Sequence, residues 1–319
     1  MENKEEDFES KVEKMIETFT TAEKKNKENT KKYKDWINQI SAPEFNLISN
    51  LLNYFLDDLT STKMRENIFK IFRKLYNLNP EVVKPQINSN KNFLKAIVVH
   101  INNGDKSLIS DNCFYLLTQL FDPTNFSLED VNEEFILALY DGLSIVKEED
   151  TLNAIVVILI EINYQYKDLN SNVFVKVHKS NENARVLNEI LLRVLNNEHD
   201  DLKKIRILKC LEDLMNSYDK SIFYESDLES FIDILLPKLQ MTDNNELKLK
   251  LLGCLYRVTK YNEYYREMYK VGEITELMED FESSDNQTEE LRNLSKQIVI
   301  SITDRQGKSK KIEDDDENK

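Results

Sequence analysis

Apolar side chains recur along this chain at spacings of three and four, the period that gathers them on one face of an α-helix. In the charge-dense stretch 1–34 they form a thin stripe of Phe8, Val12, Met15, Ile16, Phe19 and Ala22. Such a helix either packs on the first repeat or pairs with another helix. Trp36 and Ile37 restart an apolar face, and from Ser41 and Pro43, two helix-start signals, the pattern becomes regular. Phe45, Ile48, Leu51, Leu52, Phe55, Leu56 and Leu59 make one face, and residues 60–62 break it. Met64, Ile68, Phe69, Phe72, Leu75 and Tyr76 make the next, which Asn79 and Pro80 close. After a short segment come Phe93, Leu94, Ile97, Val98 and Ile101, a polar stop at 103–105, and then Leu108, Ile109, Cys113, Leu116, Leu117 and Leu120.

Pro123 ends that helix, and Ser127, with Asp130 three residues on, reads as the cap of the next. Its face is Phe135, Ile136, Leu139, Tyr140 and Leu143. The stretch 151–166 is apolar almost all round, which predicts a helix buried on several sides. An Asn-rich link leads to Val186, Leu187, Ile190, Leu191, Val194 and Leu195, then a turn at 196–200. Leu202, Ile205, Leu208, Leu211, Leu214 and Met215 follow, then Leu228, Phe231, Ile232, Leu235 and Leu239. Leu247, Leu251, Leu252, Leu255, Tyr256 and Val258 come next, and shorter helices are expected near 274–281 and 291–302. Helices recurring about every twenty residues pair into units of about forty, the HEAT and armadillo period. No single pair can bury its own face, so the units stack. The pattern predicts an all-α, armadillo/HEAT-like helical repeat solenoid over 41–303. It follows an amphipathic region at 1–40 and precedes a disordered charged tail at 304–319.

Composition agrees. Only five glycines and five prolines occur in 319 residues, too few for the tight turns of a sheet protein of this length. The formal net charge of −15 argues against nucleic acid and against anionic membranes, and favours a partner with a basic face. It also keeps a long helical surface in solution. No apolar run is long enough to insert in a membrane; the longest, 154–160, ends at Glu161. Cys113, Cys210 and Cys254 sit among apolar residues and read as buried hydrophobes of a reducing, cytoplasmic protein.

Candidate chemistry is sparse. His100, His178 and His199 are far apart, and no Cys/His set has zinc spacing. The isolated glycines make no phosphate loop, dinucleotide fingerprint or nucleophile elbow. The acidic runs 148–150 and 314–316 lack the alternation of a calcium loop and read as solvated. No catalytic residue, metal or cofactor is expected, and the chain reads as a non-enzymatic interaction protein. Tyr256, Tyr261, Tyr264, Tyr265 and Tyr269, interleaved with Arg257, Lys260 and Arg266, either pack a face or present a partner surface. A single tryptophan, Trp36, cannot build the Trp/Asn ladder of peptide-groove armadillo proteins.

The stretch from Ala184 to Phe281 carries a resemblance. A leucine helix runs into the turn ending at Asp200. Phe223, Tyr224, Asp227, Leu228, Ile232, Asp233 and Ile234 follow, and then a Tyr-bearing helix with Leu251, Tyr256 and Tyr261. This resembles the leucine-rich armadillo domain of the WISH/DIP/SPIN family, which includes the fungal Dip and Ldb proteins. Pro237 and the 196–198 turn depart from the family pattern. The resemblance implies binding and activation of the Arp2/3 complex without a preformed filament. The resulting linear actin filaments seed branched networks, as at endocytic sites. It further implies the Arp2/3 complex as protein partner, actin through that complex, and a place in the cortical cytoplasm. Phe223 and Asp227 read as staple and cap of the helix through Leu235. Arg193, Lys203, Lys204, Arg206, Arg257 and Arg266 are the expected contact residues. A generic armadillo scaffold, or a small-GTPase-binding module like the formin regulatory region, is the alternative.

Overall fold

The computed structural model describes residues 2–24, 31–57, 59–90, 93, 95–98, 110–121, 128, 131–218, 221–261, 263–264, 268–284 and 286–317. Within these ranges side chains are described at 8, 10–22 and from 31 to 304. Among these residues every regular element is a helix, so the fold is all-α and of the helical-repeat class expected. The helices pack into two compact units, Met1–Ile158 and Leu159–Lys319.

The first unit holds α1 (Glu2–Lys24), α2 (Lys31–Ser41), a 3-10 turn (Pro43–Phe45), α3 (Leu47–Leu56), α4 (Thr62–Leu78) and α5 (Pro80–Asn88). It continues with α6 (Asp111–Leu120), α7 (Glu133–Ile145) and the first turns of α8 (Glu149–Gln165). The helix α4 is its centre: α1, α2, α3, α5 and α6 all pack on it. Of the two roles open to the N-terminal helix, the structure selects packing on the first repeat. Val12, Phe19 and Ala22 are buried there. The core is aromatic, with the ring of Phe55 5.0 Å from Phe69 and 4.9 Å from Phe93, and Phe72 5.4 Å from Phe93. Buried Arg65 donates to the Phe55 and Asp57 carbonyls at 3.3 and 2.8 Å, satisfying the open carbonyl end of α3. A β-carbon on Gly142 would lie 2.8 Å from the Phe114 ring, so α7 approaches α6 as closely as only glycine permits.

The second unit holds the end of α8, α9 (Val173–Ser180), α10 (Ala184–Asn197), α11 (Asp201–Ser217) and α12 (Glu225–Met241). It closes with α13 (Asn245–Val258), α14 (Val271–Ser283) and α15 (Glu289–Glu317). One layer is made of α11, α13 and α15, each packed on the next, and α10 and α12 pack against it. The leucines read from the sequence face inward: Leu187, Leu191, Leu195, Leu208, Leu211, Leu214, Leu251 and Leu255 are fully buried. Each is worth about 1.5–3 kcal/mol of transfer free energy. Polar caps set the starts. Asp200 accepts from the Lys203 amide at 3.0 Å, and Asn244 from those of Glu246 and Leu247 at 3.0 and 3.2 Å.

Several local expectations change. The link before α10 contains α9, an eight-residue helix burying Phe174, Val175, Val177 and His178. Too short to show a period, it hides between asparagines. The segment after Asn79 is α5, started by Pro80, whose missing amide hydrogen costs nothing at a first helical position. Phe45 and Leu59 are exposed, because the 3-10 turn and the loop after Asp57 take them out of the α3 stripe. Helical backbone continues through 304–317, where the charge pattern points to a disordered tail; Lys, Gln and Glu favour helix even without apolar anchors. The α7 helix begins at Asn132, whose side chain accepts from the Phe135 amide at 3.0 Å. Ser127, Asp130, Leu94, Ile101, Leu108, Ile109 and His100 lie outside the described residues.

Candidate protein-binding face

The sequence of α11 buries Ile205, Leu208, Leu211, Leu214 and Met215. Helical spacing therefore sends Leu202, Arg206, Lys209 and Asp213 to the other side. Leu202 is 64% exposed. The Arg206 guanidinium pairs with Glu161 at 2.5 Å and lies 5.0 Å over the Tyr164 ring, both on α8. Lys209 pairs with Asp213 at 2.6 Å and reaches the Asn163 carbonyl at 3.3 Å. Asp213 also accepts from the Asn163 amide at 2.9 Å, and Asn163 accepts from Asn172 at 2.7 Å. Both asparagines are fully buried, so these bonds hold the loop before α9 to α11.

Towards α13 the ladder continues. Lys250 pairs with Glu212 at 2.9 Å. Burial alone would lower the Lys250 pKa, but its bond and attraction to Glu212 outweigh that and raise it. A β-carbon on Gly253 would stand 3.2 Å from the Glu212 carboxylate, so glycine leaves that carboxylate its room. At the far end the Lys260 ammonium lies 4.6 Å over the Tyr256 ring and Arg257 6.0 Å from it. The result is a half-exposed strip of cations, rings and carboxylates over three helices. Residues of this kind anchor protein interfaces.

The expected contact residues divide. Arg206 and Arg257 belong to the strip. Lys203 sits at its edge, 3.9 Å from Glu198, while Lys204 lies round the helix from Arg206, its side chain largely buried and 2.9 Å from Asp201. The Lys204 bond holds the Asp201 carboxyl below its usual range. Arg193 is exposed on α10, in the other layer, and Arg266 lies outside the described residues. Sequence reading passed over Tyr164, Lys209 and Lys250. Lys209 could have been found three residues after Arg206 on one helical face. Nothing local marks Tyr164, which comes from a different helix.

The family-pattern residues lie on the layer of α10 and α12. Tyr224 is the N-cap residue of α12, its ring 4.2 Å under the Arg185 guanidinium, which also donates to its hydroxyl. Asp227 is therefore not the cap: it stands at the third helical position and accepts from the Tyr224 amide at 3.3 Å. Phe223 is buried 5.5 Å from the Phe231 ring, and Leu228 and Ile232 are buried beside it. Ile234 is half-buried. Exposed Asp233 accepts from the Tyr269 hydroxyl at 3.1 Å and pairs with Lys270 at 2.9 Å. Pro237 lies inside α12, which runs on to Met241. Of the tyrosine cluster, Tyr261 and Tyr264 are buried with their hydroxyls on the Met215 and Tyr269 carbonyls, so these two pack. Tyr265 lies outside the described residues.

A buried relay fixes the α9 to α12 corner. The Asn188 amide donates to the Ile222 carbonyl at 3.0 Å, leaving its oxygen to accept from His178 Nε2 at 3.0 Å. His178 Nδ1 then accepts from the Tyr218 hydroxyl at 2.7 Å. Burial lowers the His178 pKa to about 4, against the opposing pull of the Asn188 bond. Burial also pushes the Tyr218 hydroxyl up to about 12. The three thiols are buried; burial raises Cys113 to about 12 and lifts Cys210 and Cys254 further. Among the described residues no group of His, Cys, Asp and Glu could hold a metal ion, and no helix is long and apolar enough to cross a membrane.

Residues 148–274 match the SPIN90/Ldb17 leucine-rich domain family. The resemblance read on 184–281 is thus supported, and the match reaches further upstream to include α8 and α9. This is a family of non-enzymatic regulatory proteins of the actin cytoskeleton. No curated protein matches the chain. Among solved structures, the crystal structure of an engineered protein from a structural genomics consortium is similar at 10% identity. It covers 81% of this chain and 96% of its own, with a TM-score of 0.38.

Proposed function

We propose that the chain binds the Arp2/3 complex and activates it without a preformed filament, so that it starts linear actin filaments that seed branched networks. The observation that carries this reading is the family match over 148–274, within which the whole strip from Glu161 to Lys260 falls. The strip supplies aromatic and cationic anchors on helices whose leucine core keeps them in place. A stiff surface of this kind can act as an activator by mass action. It binds one arrangement of a multi-subunit partner better than the other and shifts the population by that difference. Arg206 and Arg257, with Lys203 at the edge, are the contact residues of this reading, and Tyr164, Lys209 and Lys260 join them.

The test is actin polymerisation with purified chain and Arp2/3 complex, without added filaments, with single-filament imaging. A shortened lag and unbranched products are the expected result. Unchanged lag together with no binding to the complex refutes the reading and leaves the scaffold or GTPase-binding alternative, for which a nucleotide-dependent pull-down is the assay.

A further inference from the structure

Among the described residues, the non-glycines with a left-handed backbone are Asn46, Met268 and Lys270, at φ of 55°, 46° and 52°. Asparagine tolerates that region; methionine and lysine enter it only at a cost. These two stand on either side of Tyr269, just ahead of α14. Strain of this kind persists only where the surroundings hold it. On the backbone side, the Met268 amide donates to the Tyr264 carbonyl at 2.9 Å, and the Val271 amide to the Met268 carbonyl at 3.1 Å. The hydroxyl of buried Tyr264 reaches the Tyr269 carbonyl at 3.4 Å.

The side-chain hold comes from one exposed carboxylate on α12. Asp233 accepts from the Tyr269 hydroxyl, at 3.1 and 3.2 Å to its two oxygens, and pairs with Lys270 at 2.9 Å. Consecutive side chains do not face one another on a helix and point to opposite faces of a strand. The left-handed turn brings Tyr269 and Lys270 to one acceptor, so the strain and the bonds belong to a single arrangement. Lys270 also lies 3.7 Å from Glu273, and Glu229, one turn before Asp233, acts on Tyr269 through its charge. We infer that residues 268–270 form a strained strap that Asp233 latches to α12, and that the strap opens when this carboxylate is removed or screened. On opening, Met268 and Lys270 leave the left-handed region, and the Met268 and Val271 amides lose their acceptors.

The experiment follows hydrogen exchange of the Met268 and Val271 amides by NMR in the full chain. No actin or Arp2/3 complex is present, so the outcome is independent of the function proposed above. In Asp233→Ala both amides are expected to exchange at least about threefold faster, with the circular dichroism spectrum and the exchange of Leu208 and Leu211 unchanged. The bond to Asp233 raises the pKa of the Tyr269 hydroxyl, so its ring signal should titrate at lower pH in the same variant. Raising sodium chloride from about 0.05 to about 0.5 M should speed both amides in the unaltered chain and leave D233A unmoved. This arm needs no variant to fold. The strain is tested by adding Met268→Gly to D233A. Glycine takes a φ of 46° freely, so exchange should slow again by at least about threefold. Faster exchange in that double variant overturns the inference, because it shows a segment that was held but not strained. Unchanged exchange in D233A overturns it too, as does equal acceleration by Glu229→Ala, which would assign the effect to the charge of α12 at large.

Discussion

Lowering the pH from 7 to 5 tests the buried imidazole of His178. In the folded chain its pKa lies near 4, against 6.5 for the ordinary side chain, because burial disfavours the charged ring. Above pH 6.5 the ring is neutral in both states and the relay contributes fully. Below 6.5 the unfolded chain takes up a proton that the folded chain refuses, so stability falls as pH falls. The loss is complete below about pH 4, where both states are protonated. At 1.36 kcal/mol per unit, the whole shift is worth about 3 kcal/mol. Between pH 7 and 5 the linkage relation gives about 2 kcal/mol, a window in which most carboxylates stay ionised. Urea unfolding at the two pH values, followed by circular dichroism, measures this difference. The variant H178Q cannot titrate and is expected to lose less than about 0.5 kcal/mol over the same window. Equal losses in the two proteins would refute the reasoning. The ring proton of His178, followed by NMR in the unaltered chain, checks the same point independently and should titrate near pH 4.

Asp200→Ala removes the cap of α11 and leaves the Lys203 amide without its acceptor; the expected cost is about 1 kcal/mol, read as a melting temperature lower by roughly 2–4 °C. Gly142→Ala drives a methyl group into the Phe114 ring and is expected to lower the urea midpoint by an amount equal to about 1–3 kcal/mol. Arg206→Ala leaves the buried Glu161 carboxylate without its partner and should cost about 1–3 kcal/mol, whereas Arg185→Ala breaks an exposed contact and should change stability by less than about 1 kcal/mol. Only the first is expected to lengthen the polymerisation lag with Arp2/3 complex; equal lags would detach activity from the strip. Cys113, Cys210 and Cys254 should react with a thiol reagent more slowly in the native chain than in urea, since each is buried and held as the thiol.

The long helices were legible because their faces repeat over four turns: the leucines of α11 and α13 appear in the sequence at the positions they occupy in the core. Short elements were not. Eight residues between Val173 and Ser180 give two turns of evidence for a period, and three valines among them suit a strand as well as a helix. Caps were half legible. Asp227 was read as the start of α12 because it is acidic and precedes Leu228. Yet Tyr224, a poor cap by side chain, holds that position and Asp227 serves from inside the helix. The strip was legible only within one helix. Spacing placed Arg206 opposite the leucines of α11, but its partners Glu161 and Tyr164 stand some forty residues earlier, and no local pattern joins them.

The amides of Asn163 and Asn172 have a consequence beyond their own bonds. Leucine faces adhere well but discriminate poorly: two such helices slipped past each other by one turn still cover most of the same oil. The chain from Asn172 through Asn163 to Asp213 and Lys209 tolerates no slip. Displacing α11 by a turn would strand buried amides and a carboxylate without partners, at about 1–3 kcal/mol for each. These four side chains act as an index mark. They set where α8, α9 and α11 stop relative to one another, and so at what height Arg206 meets Tyr164.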